Sequence, residues 1–134
     1  MAKISDEALT IKAERMLEAA YVPYSEFPVG AALLTKEGEV YTGCNIENAS
    51  YPLSICAERT AFFKAVSEGK FEFEKLVVTG GTEGPISPCG ACRQVMAEFC
   101  DPDMPVILTN THGHVYETTV AGLLPGAFTN KDMV

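Results

Sequence analysis

Basic side chains are scarce in this chain: ten Lys and Arg stand against 18 Asp and Glu, for a formal net charge of −8. Polynucleotide binding draws most of its affinity from Lys and Arg on phosphates. No stretch here gathers them, so a small substrate is favoured over a nucleic-acid strand. Long apolar runs are missing too, with none near the roughly 18 residues that span a bilayer, and no membrane association is expected. The opening residues, Met1 to Glu7, turn acidic at once and lack the apolar stretch of a signal peptide, so a cytoplasmic protein is expected. There is no repeat, no low-complexity tract and no internal linker. A length of 134 residues allows one substantial core and not two ordinary ones, and residues 1–134 are expected to form a single domain. An even cysteine set is also lacking. Five cysteines with one close Cys-x-x-Cys pair suit a reducing compartment and a metal better than a disulfide framework.

What is present reads as alternating helices and strands. Ser5 is placed as an N-cap, with Asp6 and Glu7 in the first turn and Leu9, Ala13, Met16, Leu17 and Ala20 at helical spacing through about residue 20. Residues 21–28 break the pattern with two prolines. Val29 to Thr35 and Val40 to Gly43 form a hairpin across Lys36-Glu37-Gly38-Glu39. An irregular loop over residues 45–55 leads to a helix from near Cys56 to Val66, with Gly69 as its stop. Leu76 to Thr79 and Val106 to Thr109 read as buried strands, separated by a helix from near Cys89 to about Phe99. Val115 to Thr118 is a last strand, and a short helix follows around Val120 to Leu124. This order implies an α/β protein, a three-layer α/β/α sandwich with a mixed five-stranded sheet. The helices from Cys56 and Cys89 would then both begin at one sheet edge, where such folds bind ligands.

Cys56-Ala57-Glu58 and Pro88-Cys89-Gly90-Ala91-Cys92 supply three soft ligands and one carboxylate that need not be a ligand. Zinc on three protein ligands keeps an open position for a water whose acidity it raises towards neutrality, and three thiolates favour zinc over iron. Glu58 is then free to move that water's protons. Residues two apart lie about 200° apart around a helix, so Cys56 and Glu58 share a site only if the helix points its N-terminus end-on at the metal. The free N–H groups there lower thiol pKa values. Three thiolates on Zn²⁺ leave a net negative charge, and Arg59, the cation nearest in sequence to Cys56, is expected to donate to a bound sulfur; otherwise it is a surface arginine. Cys44 and Cys100 read as small buried hydrophobes. His112 and His114, flanking Gly113, read as a polar hairpin turn with no link to the cysteine arms.

Five blocks carry a resemblance: Phe27-Pro28-Val29-Gly30-Ala31-Ala32, Cys44-Asn45-Ile46-Glu47-Asn48-Ala49, Cys56-Ala57-Glu58-Arg59-Thr60-Ala61, Ser87-Pro88-Cys89-Gly90-Ala91-Cys92-Arg93-Gln94 and Leu123-Leu124-Pro125-Gly126-Ala127-Phe128. Through them the chain resembles the short, three-cysteine cytidine deaminases over essentially its whole length. The resemblance implies hydrolytic deamination of cytidine and 2′-deoxycytidine in pyrimidine salvage, one Zn²⁺ per subunit on Cys56, Cys89 and Cys92, and Glu58 as the acid–base residue. It implies that Asn45 and Glu47 hold a ribose hydroxyl. An amide and a carboxylate suit a hydroxyl, and a carboxylate repels a 5′-phosphate, so a nucleoside is preferred to a nucleotide; serving the loop itself is the competing role. Phe27, by type equally a core residue, is implied to face the pyrimidine, and the Ala57 backbone to read the base edge. Phe128 is implied to enter a neighbouring subunit's site within a homotetramer.

Three other readings stay open at this level. A deaminase of another aminated heterocycle, such as a nucleoside antibiotic, shares the cysteine core. A thiol–disulfide oxidoreductase would use Cys89 and Cys92 and leave Cys56 and Glu58 unexplained. A non-enzymatic zinc module would recruit Cys44 as fourth ligand, without the close pairing usual in zinc ribbons.

Overall fold

The computed structural model describes residues 4–133. Ser5 caps helix α1 (Asp6–Arg15), its hydroxyl accepting from the Ala8 N–H at 3.1 Å. The α-helix ends earlier than the apolar spacing predicts, because the chain tightens into a 3₁₀ turn over Met16–Glu18. Then follow β1 (Val29–Thr35), β2 (Val40–Cys44), a 3₁₀ turn (Tyr51–Leu53), α2 (Ala57–Ser67), β3 (Phe73–Gly80), α3 (Gly90–Phe99), β4 (Pro105–Thr109), β5 (Val115–Thr119) and α4 (Val120–Leu123). A final 3₁₀ turn, Asn130–Met133, is not foreseen in the sequence pattern. Gly69, at φ 84°, ends the α2 segment.

The five strands run in the order β2-β1-β3-β4-β5, antiparallel except for the parallel pair β3 and β4. This is the mixed sheet of a three-layer α/β/α sandwich. β1 shows why the middle is dry: Gly30 to Thr35 are all buried, and alternate residues face opposite layers. Ala31 and Leu33 join Phe62, Leu76, Val78, Met96 and Val106 beneath α2 and α3. Ala32 and Leu34 join Leu9, Ala13, Val77 and Ile107 beneath α1. Two glycines seat the helices. A Cβ on Gly30 would overlap the Ala13 carbonyl of α1, and one on Gly43 would overlap the Ala57 carbonyl and sit 2.6 Å from the Ala61 nitrogen of α2. Among the described residues no helix is long and apolar enough to cross a membrane.

Candidate active site

The segment after β2 leads into α2 and the segment after β3 into α3, so both helices begin at one sheet edge. Cys56 and Cys89 occupy the N-cap positions in extended backbone, and neither side chain caps its own helix. Their sulfurs therefore project beyond the helix ends, where the unpaired N–H groups and the positive end of the helix dipole favour thiolate. Cys92, one turn into α3 and buried, completes the set. Cys56 Sγ lies 3.6 Å from Cys89 Sγ, which lies 3.3 Å from Cys92 Sγ, and all three fall within 4.8 Å of one another. All five cysteines are free thiols. Zn–S bonds of about 2.3 Å in a tetrahedron set sulfurs just under about 4 Å apart, so this donor set fits a zinc ion. Cys44 stands outside the group, buried with its carbonyl accepting from Thr60 Oγ1.

Charge around the sulfurs is arranged by neighbours. Arg59 Nη2 donates to Cys56 Sγ at 3.4 Å, and its Nε is buried without a partner. Hydrogen bonding from Cys92, then from Arg59 and Cys89, draws the Cys56 thiol down to about 5 against the opposing effect of burial. The Cys92 thiol moves the other way, pushed up by the same interaction and by burial. Glu58 is only 3% exposed. Burial pushes its carboxyl up to about 7, with the negative charge on Cys56 adding to the effect.

A cavity of about 530 Å³ opens at this edge, large enough for a ligand of nucleoside size. Of the residues singled out from the sequence, Phe27, Asn45, Glu47, Cys56, Ala57, Glu58 and Cys89 line it. Cys92 sits behind them within the sulfur group. Phe128 does not join its own chain's cavity: it is exposed, and its carbonyl accepts from Gln94 Nε2 at 2.7 Å. Asn45 is occupied on both sides, accepting from the Val29 N–H at 2.9 Å and donating to the Phe27 carbonyl at 2.8 Å. Glu47 is buried and takes the N–H groups of Tyr24 and Ser25 and the Ser25 hydroxyl. These bonds, the Ser25 hydroxyl first, hold its carboxyl below the usual range.

Sequence reasoning passed over the remaining wall, which is formed by Ser25, Val29, Tyr51, Thr82, Pro85, Ile86 and Ser87. Ser25 and Ser87 stand inside or beside blocks read for other residues. The loop over residues 82–87 is held by two polar side chains, Asn110 outside every block and Arg93 within one but read there for no role of its own. Asn110 Nδ2 donates to the Thr82 and Glu83 carbonyls at 2.9 and 2.8 Å, while its Oδ1 accepts from the N–H groups of His112 and His114. Arg93 donates to the Pro88 carbonyl and the Leu123 carbonyl, both at 2.8 Å, and to Ser87 Oγ.

Fold and site together define a metal-dependent hydrolytic class of protein, with three sulfurs grouped to hold a metal and the buried Glu58 carboxyl outside that group. Residues 3–108 match the family model described as the cytidine and deoxycytidylate deaminase zinc-binding region. The chain is 61% identical over 127 residues to a cytidine deaminase of Sporosarcina psychrophila, covering 95% of this chain and 93% of that one. It is 57% identical over 129 residues to a cytidine deaminase of Halalkalibacterium halodurans, covering 96% and 98%. The crystal structure of a cytidine deaminase from Burkholderia pseudomallei superimposes with a TM-score of 0.91 at 53% identity, over 93% of this chain and 100% of that one. The chain belongs to the cytidine and deoxycytidylate deaminase family, a zinc-binding family, and Cys56, Cys89 and Cys92 are the group positioned to bind the metal ion.

Proposed function

We propose that this chain hydrolyses cytidine and 2′-deoxycytidine to uridine and 2′-deoxyuridine with release of ammonia, a reaction of pyrimidine salvage. The observation that carries the reading is Glu58, a buried carboxyl on the wall of the cavity that also exposes the Cys56 and Cys89 side of the sulfur group. Zinc on Cys56, Cys89 and Cys92, one per subunit, supplies the Lewis acidity that lets water attack near neutral pH. Glu58 takes a proton from the attacking water and delivers protons to ring N3 and to the leaving amine. The water oxygen bonds to C4, the C4–N4 bond breaks, and ammonia departs. Arg59 offsets part of the negative charge of the three thiolates through Cys56. Ala57, buried between ligand and acid, offers its main-chain N–H, free at the first position of α2, to the base edge. Phe27 packs on the ring, and Asn45 and Glu47 take a ribose hydroxyl. The charge on Glu47 disfavours a 5′-phosphate, so the free nucleoside is the substrate.

The working form in this reading is a cytoplasmic homotetramer of single-domain subunits. Support comes from Phe128, exposed and absent from the lining of its own cavity, and from the exposed Tyr24, Tyr51 and Leu53 in the two loops that frame that cavity. A neighbour's Phe128 completes each site. Ultraviolet absorbance of cytidine and of deoxycytidine with the purified, zinc-replete protein tests the activity. Conversion to the uracil spectrum that a chelator abolishes is expected, and no conversion of either nucleoside refutes the reading. Sedimentation at micromolar protein tests the tetramer, and a monomer that is fully active refutes it.

A further inference from the structure

Two polar side chains at the sugar end of the cavity do more than face it. Glu47 Oε1 accepts from the N–H groups of Tyr24 and Ser25, each at 3.1 Å, and Oε2 accepts the Ser25 hydroxyl. The same Ser25 Oγ accepts from the Phe27 N–H at 3.1 Å. The direction of this chain is forced, because a backbone N–H only donates and a carboxylate only accepts. The Ser25 hydroxyl is the one group between them that does both. Phe27 is fixed on its other side by Asn45, through its carbonyl. Between Ser25 and Phe27, Glu26 adopts φ 55°, the one non-glycine residue with positive φ among those described. That conformation is uncommon for a residue with a side chain, and the Glu26 N–H bonded to the Val22 carbonyl at 2.9 Å helps to hold it. An ionised carboxylate offers about four acceptor positions. The 24–25 loop takes three of Glu47's and the Tyr51 side chain hydrogen-bonds to the same carboxylate, so these loop contacts dictate where the group points.

We propose that Ser25 is a positioning residue for substrate selection: it aims the Glu47 carboxylate at the sugar hydroxyls and ties that aim to the Phe27 wall. The proposal rests on the deaminase reading above. Removing the hydroxyl leaves Oε2 free to turn and the Phe27 N–H without its acceptor, so recognition of the sugar suffers while the distant chemistry at Glu58 does not. The test compares cytidine with 2′,3′-dideoxycytidine, which lacks the ring hydroxyls, in the wild type, Ser25→Ala and Ser25→Thr, with zinc content measured in each. Ser25→Ala is expected to raise KM for cytidine about tenfold, the scale of one hydrogen bond to a charged group, with kcat held within about threefold. The cytidine-to-dideoxycytidine ratio of kcat/KM falls by the same factor, and Ser25→Thr restores both. In a Glu47→Ala background the Ser25→Ala effect on cytidine disappears, as non-additivity requires of a residue acting through another. An unchanged KM in Ser25→Ala, or equal losses on the two nucleosides, overturns the proposal. Should Ser25→Ala fail to hold zinc, Ser25→Thr decides: wild-type selectivity supports the proposal and equal losses on both nucleosides overturn it. A wild type that deaminates both nucleosides equally well overturns this proposal and leaves the deaminase reading standing. A wild type that turns over neither overturns both.

Discussion

Replacing Gly43 by alanine should damage catalysis well before it threatens the fold. Gly43 lies on β2 directly under the first turn of α2, the turn that carries Cys56 at its N-cap and Glu58 on its second residue. An added Cβ would overlap the Ala57 carbonyl and lie 2.6 Å from the Ala61 nitrogen, whereas ordinary contact begins near 3.4 Å. The obstacle is helix backbone, and the nearer atom is the Ala57 carbonyl oxygen, so α2 must retreat by about 1 Å or tilt to an equivalent degree. Overpacking of this size costs about 1–3 kcal/mol, and the melting temperature should fall by several degrees in a chain of this length. Catalysis is more exposed, since a misplacement of about 1 Å at the reacting groups can reduce turnover about 100-fold. The assay is cytidine turnover beside a thermal melt, with Gly81→Ala as control, because nothing lies within 4 Å of a Cβ placed there. A Gly43→Ala protein that keeps wild-type kcat and melting temperature would refute the argument that close β2–α2 contact sets the position of the site.

Other outcomes follow from the same geometry. Arg93→Met leaves the Pro88 and Leu123 carbonyls and Ser87 Oγ without their donor; it should cost about 1–3 kcal/mol and release zinc to a competing chelator sooner than the wild type does. Arg93→Lys should rescue neither, because a compact ammonium cannot reproduce the guanidinium fork, and a lysine variant matching wild type in melts and chelator competition would count against this. Thiol alkylation should be slow in the zinc-replete protein and quick at Cys56 and Cys89 once zinc is stripped. Cys44 and Cys100 should stay inert in both states, since burial raises both thiols, Cys100 to about 12; mass mapping of the alkylated residues decides it.

The sulfur group was legible in the sequence because its chemistry is carried by residue type and short spacing: Cys56 with Glu58, and Cys89 with Cys92, at the openings of two periodic segments. Strand β1 matched the run Val29 to Thr35, because a strand buried on both faces is apolar almost throughout and the turn residues Lys36 to Glu39 mark its end. Strand β3 begins earlier than the run Leu76 to Thr79 suggests, since Lys75 and Phe73 pair with Leu34 and Thr35 across an irregular step at the end of the sheet. The Lys75 ammonium reaches Asp6 of α1 at 2.6 Å, a partner 69 residues away that no local pattern reveals. The far wall of the cavity was illegible for the same reason. Ser25, Tyr51 and Thr82 belong to three loops that meet only through long-range hydrogen bonds to Glu47 and Asn110 and through packing, and loop sequence carries no periodicity to read. Phe128 could be singled out by resemblance alone, as its neighbours in space within this chain do not include the cavity.

The central claim is that Glu58 moves protons at a zinc site it does not help to hold, and Glu58→Gln tests it most directly. Zinc per chain and cytidine turnover should be measured on the same preparations of wild type and variant. The account predicts equal zinc in both and a loss of turnover of about 100-fold or more in the variant. A Glu58→Gln protein that deaminates cytidine at the wild-type rate, or one that has lost its zinc, would contradict it.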